Sequence, residues 1–335
     1  MTSIDAGSRI SLRFTMALVG LLASGCAVVA WGQANYPNRP IRMVVPFAPG
    51  GASDFAGRII QPRLTRELGQ QIVIDNRAGA DGNIGVEVAA RANPDGYTLL
   101  FGNIGTMAIN PSIYPGFQIK PTRDLSAVTQ VMDVPGAMAM HPSIPVATIK
   151  EFIEYAKARP GQLNYGSAAL GSAQRLAFEF FKSKAGIKLL HISYYKAAGG
   201  VTIALLGGEI QVAIVTITPF IPLLKSGKVK VLAVIAPERM SQLPDIPTMA
   251  ESGFPELTLG SWVGVYAPAG TPRPIVNRLH SAVIRTMGDP EVVNRLGAGG
   301  VQVVTSKSPE DFASFTKTQT EFWARIVKQT QAAAE

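Results

Sequence analysis

Two short segments concentrate glycines, small residues and hydroxyls. They are Pro46-Phe47-Ala48-Pro49-Gly50-Gly51-Ala52-Ser53-Asp54 and Tyr165-Gly166-Ser167-Ala168-Ala169-Leu170-Gly171-Ser172. Each lies where an apolar run gives way to a helical pattern. Glycine lets the backbone come close to a bound group. A helix start offers free N–H groups at the positive end of the helix dipole, a natural place for an anion. Two such starts on facing units could each hold one carboxylate end of a small molecule. Each terminus supplies about 0.3–1 kcal/mol, up to about 2 when partly buried. Hydrogen bonds must therefore supply most of the roughly −8 kcal/mol of a micromolar complex. Ordinary tight strand-to-helix turns share this composition, so the pattern alone leaves that reading open. Asp54, or Ser53, is expected to cap the first helix. For Asp54 capping is favoured over ligand contact, because its charge would repel a carboxylate.

Other chemistries find little support. No Gly-Lys-Ser/Thr follows the first loop, so it is not a Walker loop, and it is not GxGxxG. Around Ser167 the sequence is Tyr-Gly-Ser-Ala-Ala, without the second glycine of a nucleophile elbow. The three histidines, His141, His191 and His280, are far apart and form no HExxH. The one cysteine, Cys26, excludes an intrachain disulfide framework and a Cys-based zinc site. No paired carboxylates stand out as acid and base. The net charge of +8 is spread along the chain without Lys/Arg clusters among aromatics, which argues against nucleic acid as a partner.

The elements that would position the two loops alternate. Ile41 to Pro46 reads as a buried strand, Asp54 to Leu68 as a helix and Ile72 to Asp75 as a strand. Residues 76 to 82 form a loop, Ile84 to Ala92 a helix and Tyr97 to Phe101 a strand. This βαβαβ order implies a parallel sheet covered by helices. A second series follows. Its strands are Gly136 to His141, Leu163 to Gly166, Leu189 to Ser193, Gln211 to Val215 and Val229 to Ala236. Its helices are Ile149 to Arg159, Ser172 to Ala185 and Gly200 to Leu206. An extended stretch, Leu257 to Ala267, and helices Pro272 to Met287, Pro290 to Leu296 and Pro309 to Val327 end the chain. Two α/β units fit 335 residues. A ligand cleft would lie between them, at the carboxyl ends of the strands.

Residues 1–34 read as a secretory signal peptide. Arg9 and Arg13 precede an apolar run from Phe14, and Gly32-Gln33-Ala34 offers small residues before a cut at Asn35. The run is too short and too rich in small residues to span a membrane comfortably. Ala23-Ser24-Gly25-Cys26 lacks the Leu of a lipobox, so a lipid anchor at Cys26 is not expected. The expected location is the periplasm.

Ordered motifs run along the rest of the chain. They begin with Tyr36-Pro37-Asn38-Arg39-Pro40-Ile41, Val44-Val45-Pro46-Phe47 and Pro49-Gly50-Gly51-x-x-Asp54. Asn76-Arg77-Ala78-Gly79-Ala80, Asp95-Gly96-Tyr97-Thr98-Leu99-Leu100 and Asn110-Pro111 follow. The later ones include Tyr165-Gly166-Ser167, Leu206-Gly207-Gly208, Leu243-Pro244-Asp245-Ile246-Pro247-Thr248 and Pro268-Ala269-Gly270-Thr271-Pro272. Together they resemble the substrate-binding proteins of tripartite tricarboxylate transporters, the Bug receptors.

The resemblance implies an α/β, two-lobed fold of the type II periplasmic-binding-protein kind, with a hinge between two parallel or mixed sheets. The first lobe would run over 35–134 and the second over 135–258; the stretch 259–335 would return to the first. It further implies a monomeric, non-catalytic receptor without cofactor or metal. Such a receptor captures a di- or tricarboxylic, amino or aromatic acid and delivers it to a permease of two membrane subunits. Carried over by position, the first-lobe contacts are Phe47, Ala48, Gly50, Gly51, Ala52 and Ser53, with Gly102, Asn103 and Thr106 after the third strand. The second lobe gives Ser167, Ala168, Gly171 and Ser172.

Three positions depart from the family pattern: Arg175 in place of His, Ser193-Tyr194 in place of Val-Pro, and Val215-Thr216 in place of Asp-Asn. Arg175 and Thr216 join the candidate ligand contacts. Arg175 either adds a cation to the second-lobe face or is a solvated surface residue. Two other functions stay open: an exported hydrolase using Ser167 with His191, and a sensor that presents its liganded state to a two-component signalling partner.

Overall fold

The computed structural model describes residues 36–114, 116–167, 172–193, 200–217, 220–240, 242–257 and 260–330. The leader read at 1–34 lies outside them, as do Ala168, Gly171 and Tyr194.

Strand β1 (Ile41–Val45), helix α1 (Ala52–Leu68), β2 (Ile72–Asn76), α2 (Asn83–Ala90) and β3 (Thr98–Asn103) form the expected βαβαβ unit. Both strand pairs are parallel, with β1 in the middle. Four of the five β1 residues are buried, Arg42 being the exception, as suits a central strand covered on both faces. Helix α1 ends where Gly69 takes a left-handed conformation at φ 71°, with its N–H on the Thr65 carbonyl, the usual glycine stop. Its start is two residues earlier than Asp54. Gly51 is the N-cap and no side chain caps it. The expected cap at Asp54 or Ser53 is thus corrected: both lie inside the first turn.

After β3 come a π-helical turn (Gly105–Ile109), two short helices, α3 (Asn110–Ile113) and α4 (Pro121–Asp124), and strand β4 (Leu125–Val134). The sequence reading names no strand here. Thr129, Gln130 and Asp133 interrupt the apolar pattern although all three are buried. Ser306 holds this stretch from afar: its N–H donates to the Thr129 side chain, Oγ1, at 3.1 Å, and its Oγ accepts from the Gln130 main-chain N–H at 3.4 Å. A buried strand with remote polar partners does not show an apolar run.

Only Pro135 separates β4 from β5 (Gly136–Met140). Then follow α5 (Ile149–Lys157), β6 (Asn164–Ser167), α6 (Ala173–Ala185), β7 (Leu190–Ser193), α7 (Gly200–Leu206), β8 (Val212–Thr216), α8 (Ile221–Lys225) and β9 (Lys230–Ile235). The chain continues through β10 (Ser261–Pro268), α9 (Arg273–Met287), α10 (Pro290–Ala298), β11 (Gln302–Val303) and α11 (Pro309–Thr330).

These strands make two sheets. One has the order β11-β4-β10-β3-β1-β2, the other β7-β6-β8-β5-β9. Both are mixed. β10 runs antiparallel to β3 and β4, and β5 runs antiparallel to β8 and β9. The chain therefore leaves the first sheet across Pro135 and re-enters it at Ser261. At this second crossing Gly260 is packed on the first, since a Cβ there would run into the Val134 carbonyl. Helix α11 packs against both the π-turn and α6. Its Trp323, Ile326 and Val327 share one apolar core with Phe178 and Phe181 of α6 and with Val44 and Met107 of the first unit.

Candidate functional site

The site is built at the carboxyl ends of β1, β2, β3 and β6. The β1–β2 register pairs Val45 with Asn76, so Asn76 stands beside the loop that leaves β1. Its Nδ2 donates to the Phe47 carbonyl and to Asp54 Oδ1, each at 3.0 Å. Asp54 also accepts from the Gly50 N–H at 2.9 Å and from Arg58 Nε at 3.0 and 3.1 Å. Gly50, at φ 87°, makes the turn that points its N–H back at the carboxylate, a conformation glycine adopts freely. Burial alone would raise the Asp54 pKa, but bonds from Arg58, Gly50 and Asn76 hold it below the usual carboxylate range, as hydrogen bonds to the charged form do. Asp54 is therefore the fastener of the loop. Ala48, Gly50 and Ala52 stay exposed along it, Gly51 is half-buried and Ser53 is buried.

β3 pairs with β1 through Leu100 and continues to Asn103. There Asn103 and Thr106 clasp each other. The Thr106 N–H donates to Asn103 Oδ1 at 3.0 Å, and the Asn103 N–H to Thr106 Oγ1 at 3.1 Å. Thr106 is fully buried, and Gly102 lies against Met107, which a Cβ would meet at 2.9 Å.

The third wall element escapes the sequence reading, which treats residues 76–82 as a plain loop. Ala80 and Asp81 both have left-handed backbone, at φ 47° and 51°, between Gly79 and Gly82, which also have positive φ. Asn110 Nδ2 donates to the Asp81 carbonyl at 2.9 Å and to Asn83 Oδ1 at 2.8 Å. The Tyr114 hydroxyl donates to Asp81 Oδ2 at 2.6 Å. The one sequence signal is a charged residue set in a glycine-flanked turn.

On the second sheet, Ser172 is the N-cap of α6, its Oγ accepting from the Arg175 N–H at 3.2 Å, as serine caps do. Ser167 ends β6 with its Oγ 2.7 Å from His191 Nε2. His191 stacks on Tyr165, whose hydroxyl donates to Glu179, and Lys182 pairs with Glu179 at 3.0 Å. Burial lowers the His191 pKa, and Arg175 adds to the shift. Burial and Glu179 raise that of Tyr165, while Arg175 hydrogen-bonds its hydroxyl and opposes the rise. The Arg175 guanidinium is thus engaged with Tyr165, behind the first turn of α6.

Between these walls is an open cleft of about 550 Å³. Phe47, Asp81, Asn103 and Asn110 line one side, Ser172, Ala173 and Gln174 the other, with Ser261 at the crossing. A narrow, deeper space continues past Gln174 and Ser261 to Thr216, Gly260 and Trp323. Of the sequence candidates, Phe47, Asn103 and Ser172 border the cleft and Thr216 the deeper space. Ala48, Gly50, Gly51, Ala52, Ser53, Gly102, Thr106, Ser167 and Arg175 are not among the residues that border these two spaces. Ala168 and Gly171 lie outside the described residues. Among the described residues no group of three or more His, Cys, Asp or Glu could hold a metal ion.

The model of the "Tripartite tricarboxylate transporter family receptor" matches residues 56–331. Protein BugT of Bordetella pertussis is 34% identical over 319 residues, covering 95% of this chain and 97% of that protein. The solved periplasmic binding protein BugD is 34% identical with a TM-score of 0.77, covering 90% of this chain and 100% of that one. The structure of R. palustris Rpa4515 with adipate is 33% identical with a TM-score of 0.78, covering 89% and 99%. The two mixed sheets are those of a two-lobed periplasmic-binding-protein fold. The matches span nearly the whole described chain, and it belongs to the tripartite tricarboxylate transporter receptor family, whose members are solute-binding receptors.

Proposed function

We propose that this receptor works in the periplasm as a monomer. It captures a small carboxylate between its lobes and delivers it to a two-subunit membrane permease. The observation that carries the reading is the cleft itself. One wall is the first turn of α6, whose N–H groups lack intrahelical acceptors. The other is a set of loops clasped by Asn76, Asn103 and Asn110. A carboxylate at the α6 start meets N–H donors, the Ser172 N-cap and the positive helix end. Domain closure by rotation across the Pro135 and Gly260 crossings would then shut the cleft, a common motion in such receptors. The stretches 35–134 and 259–335 would move as the first lobe, and 135–258 as the second. The basic balance of the chain adds a general attraction for anions. The fold neighbour with adipate supports the ligand class.

The test is titration calorimetry with adipate, malate, citrate, benzoate and a set of L-amino acids. One-to-one binding that Ser172→Ala weakens is the expected result. Absence of binding by every carboxylate would overturn it.

The 2.7 Å contact of Ser167 with His191 favours a second reading, an exported hydrolase. Two features oppose it. Ser167 is 2% exposed. Among the described residues His191 Nδ1 has no carboxylate to orient the ring, as a triad requires. Release of product from an ester substrate, abolished by Ser167→Ala, would reinstate it.

A further inference from the structure

We propose that Asp81 selects a ligand carrying an ammonium group as well as a carboxylate, that is, a zwitterionic amino acid. The inference rests on the receptor reading above and names the ligand class of that same cleft.

Asp81 is the one charged side chain among the described residues that line the cleft. It forms no ion pair among the described residues. Oδ2 accepts from the Tyr114 hydroxyl at 2.6 Å, and no described residue donates to Oδ1. A half-buried, unpaired carboxylate in a concave wall is a place where a cation gains most. The side chain is also held there against the local preference of the backbone. Alanine avoids the left-handed region and aspartate enters it mostly as a single residue, yet Ala80 and Asp81 adopt it in succession. The buried Asn110 fixes the strained turn from beneath, through the Asp81 carbonyl and Asn83. Strain maintained by buried hydrogen bonds and aimed into a cleft is the kind that marks a functional position.

The opposite wall has the reverse polarity. Ser172, Ala173 and Gln174 open the 13-residue helix α6 and present its positive end. One side of the cleft thus suits a carboxylate and the other an ammonium. A plain dicarboxylate would bring its second charge against Asp81, and two like charges at short range disfavour each other.

Calorimetry on the full mature chain, with the twenty L-amino acids set against succinate, glutarate and adipate, tests this. At least one amino acid is expected to bind, with its deaminated analogue at least about 10-fold weaker. Asp81→Asn keeps an acceptor for Tyr114 and removes the charge. It is expected to weaken the amino acid roughly 10- to 100-fold, as for a charged hydrogen bond, and to leave or improve binding of the plain acid. Asp81→Gly, which also releases the left-handed backbone, serves as the second variant and should show the same switch. The inference is overturned if plain dicarboxylates bind as well as amino acids, or if both variants weaken the two classes alike. In those cases the receptor reading survives. If no acid of either class binds, the receptor reading falls, and this inference with it.

Discussion

Asn76 and Asp54, 22 residues apart, are joined by a 3.0 Å hydrogen bond that fixes the loop after β1. The same amide holds the Phe47 carbonyl, so the wall of the cleft and the start of α1 share one anchor. Asp54 is 4% exposed and its pKa is held below the ordinary value. A carboxylate with a depressed folded-state pKa adds stability that is fully present above the unfolded value and is lost as pH falls through the folded one. Asp54→Asn is therefore expected to cost about 1–3 kcal/mol at pH 7 and to flatten the stability curve below pH 4. It should also weaken ligand binding, because Asn76, which holds the Phe47 carbonyl, loses the carboxylate that orients it. Urea melts at pH 7 and pH 3, with one titration at pH 7, check all three. A variant as stable as the parent at pH 7 would refute the role.

Asp133 behaves in the opposite sense. It stands one residue before the end of β4 and the crossing, is 6% exposed, and its Oδ1 is buried without a hydrogen bond among the described residues. Burial raises its pKa to about 6, despite the opposing Val134 N–H. A raised carboxylate pKa means the folded state holds a proton that the unfolded chain has released. Stability then falls as pH rises from near 4 to about 6 and stays lower above it. The shift corresponds to about 3 kcal/mol. Asp133→Asn should recover much of that at pH 7 and almost nothing at pH 4. Equal effects at both pH values would show that ionisation is not the cost.

Much of this arrangement is legible in the sequence because local rules decide it. The β1 run, the glycine turns and the helical spacing of Phe55, Ile59, Ile60, Leu64 and Leu68 carry their own information, and the loops they bound reach the cleft at Phe47 and Ser172. What escapes depends on distant partners. β4 is hidden because the Thr129 hydroxyl and the Gln130 main chain find their partner in Ser306, 176 or more residues away. The antiparallel directions of β5 and β10 follow from how the chain crosses between the sheets, which no local pattern records. Asp81 shows only its glycine-flanked turn for the same reason, since its partner Tyr114 is 33 residues away. Arg175 shows the converse: its place one turn into α6 is legible, but its engagement with Tyr165 is not.

The crossings offer a mechanical test. At Gly260 an added Cβ would run into the Val134 carbonyl and meet Pro135 Cα at 3.0 Å. Both neighbours are backbone, so neither can swing aside as a side chain end would. Gly260→Ala is expected to destabilise by about 1–3 kcal/mol, as overpacking does, and to change ligand affinity through the spacing of the lobes. Gly116→Ala, where nothing lies within 4 Å of a Cβ, should change neither. Thermal melts and titration of the two variants side by side decide it; an unperturbed Gly260→Ala protein would show that the two strands can part there.

His191 closes the set with a pH dependence of its own. Its ring is half-buried against Tyr165, 2.7 Å from Ser167 Oγ, and burial with nearby Arg175 lowers its pKa below the ordinary histidine value. The unfolded chain then takes up a proton before the folded one does. Stability from this group is full above about pH 6.5 and is lost as pH falls toward the folded-state pKa. This slope opposes that of Asp133 across the same region, so the wild-type curve blends the two and single variants separate them. His191→Asn should remove the loss on acidification and cost about 1 kcal/mol at pH 8 through the Ser167 bond. If the stability of His191→Asn falls between pH 7 and 5 as steeply as the parent's, the histidine is not the group that titrates.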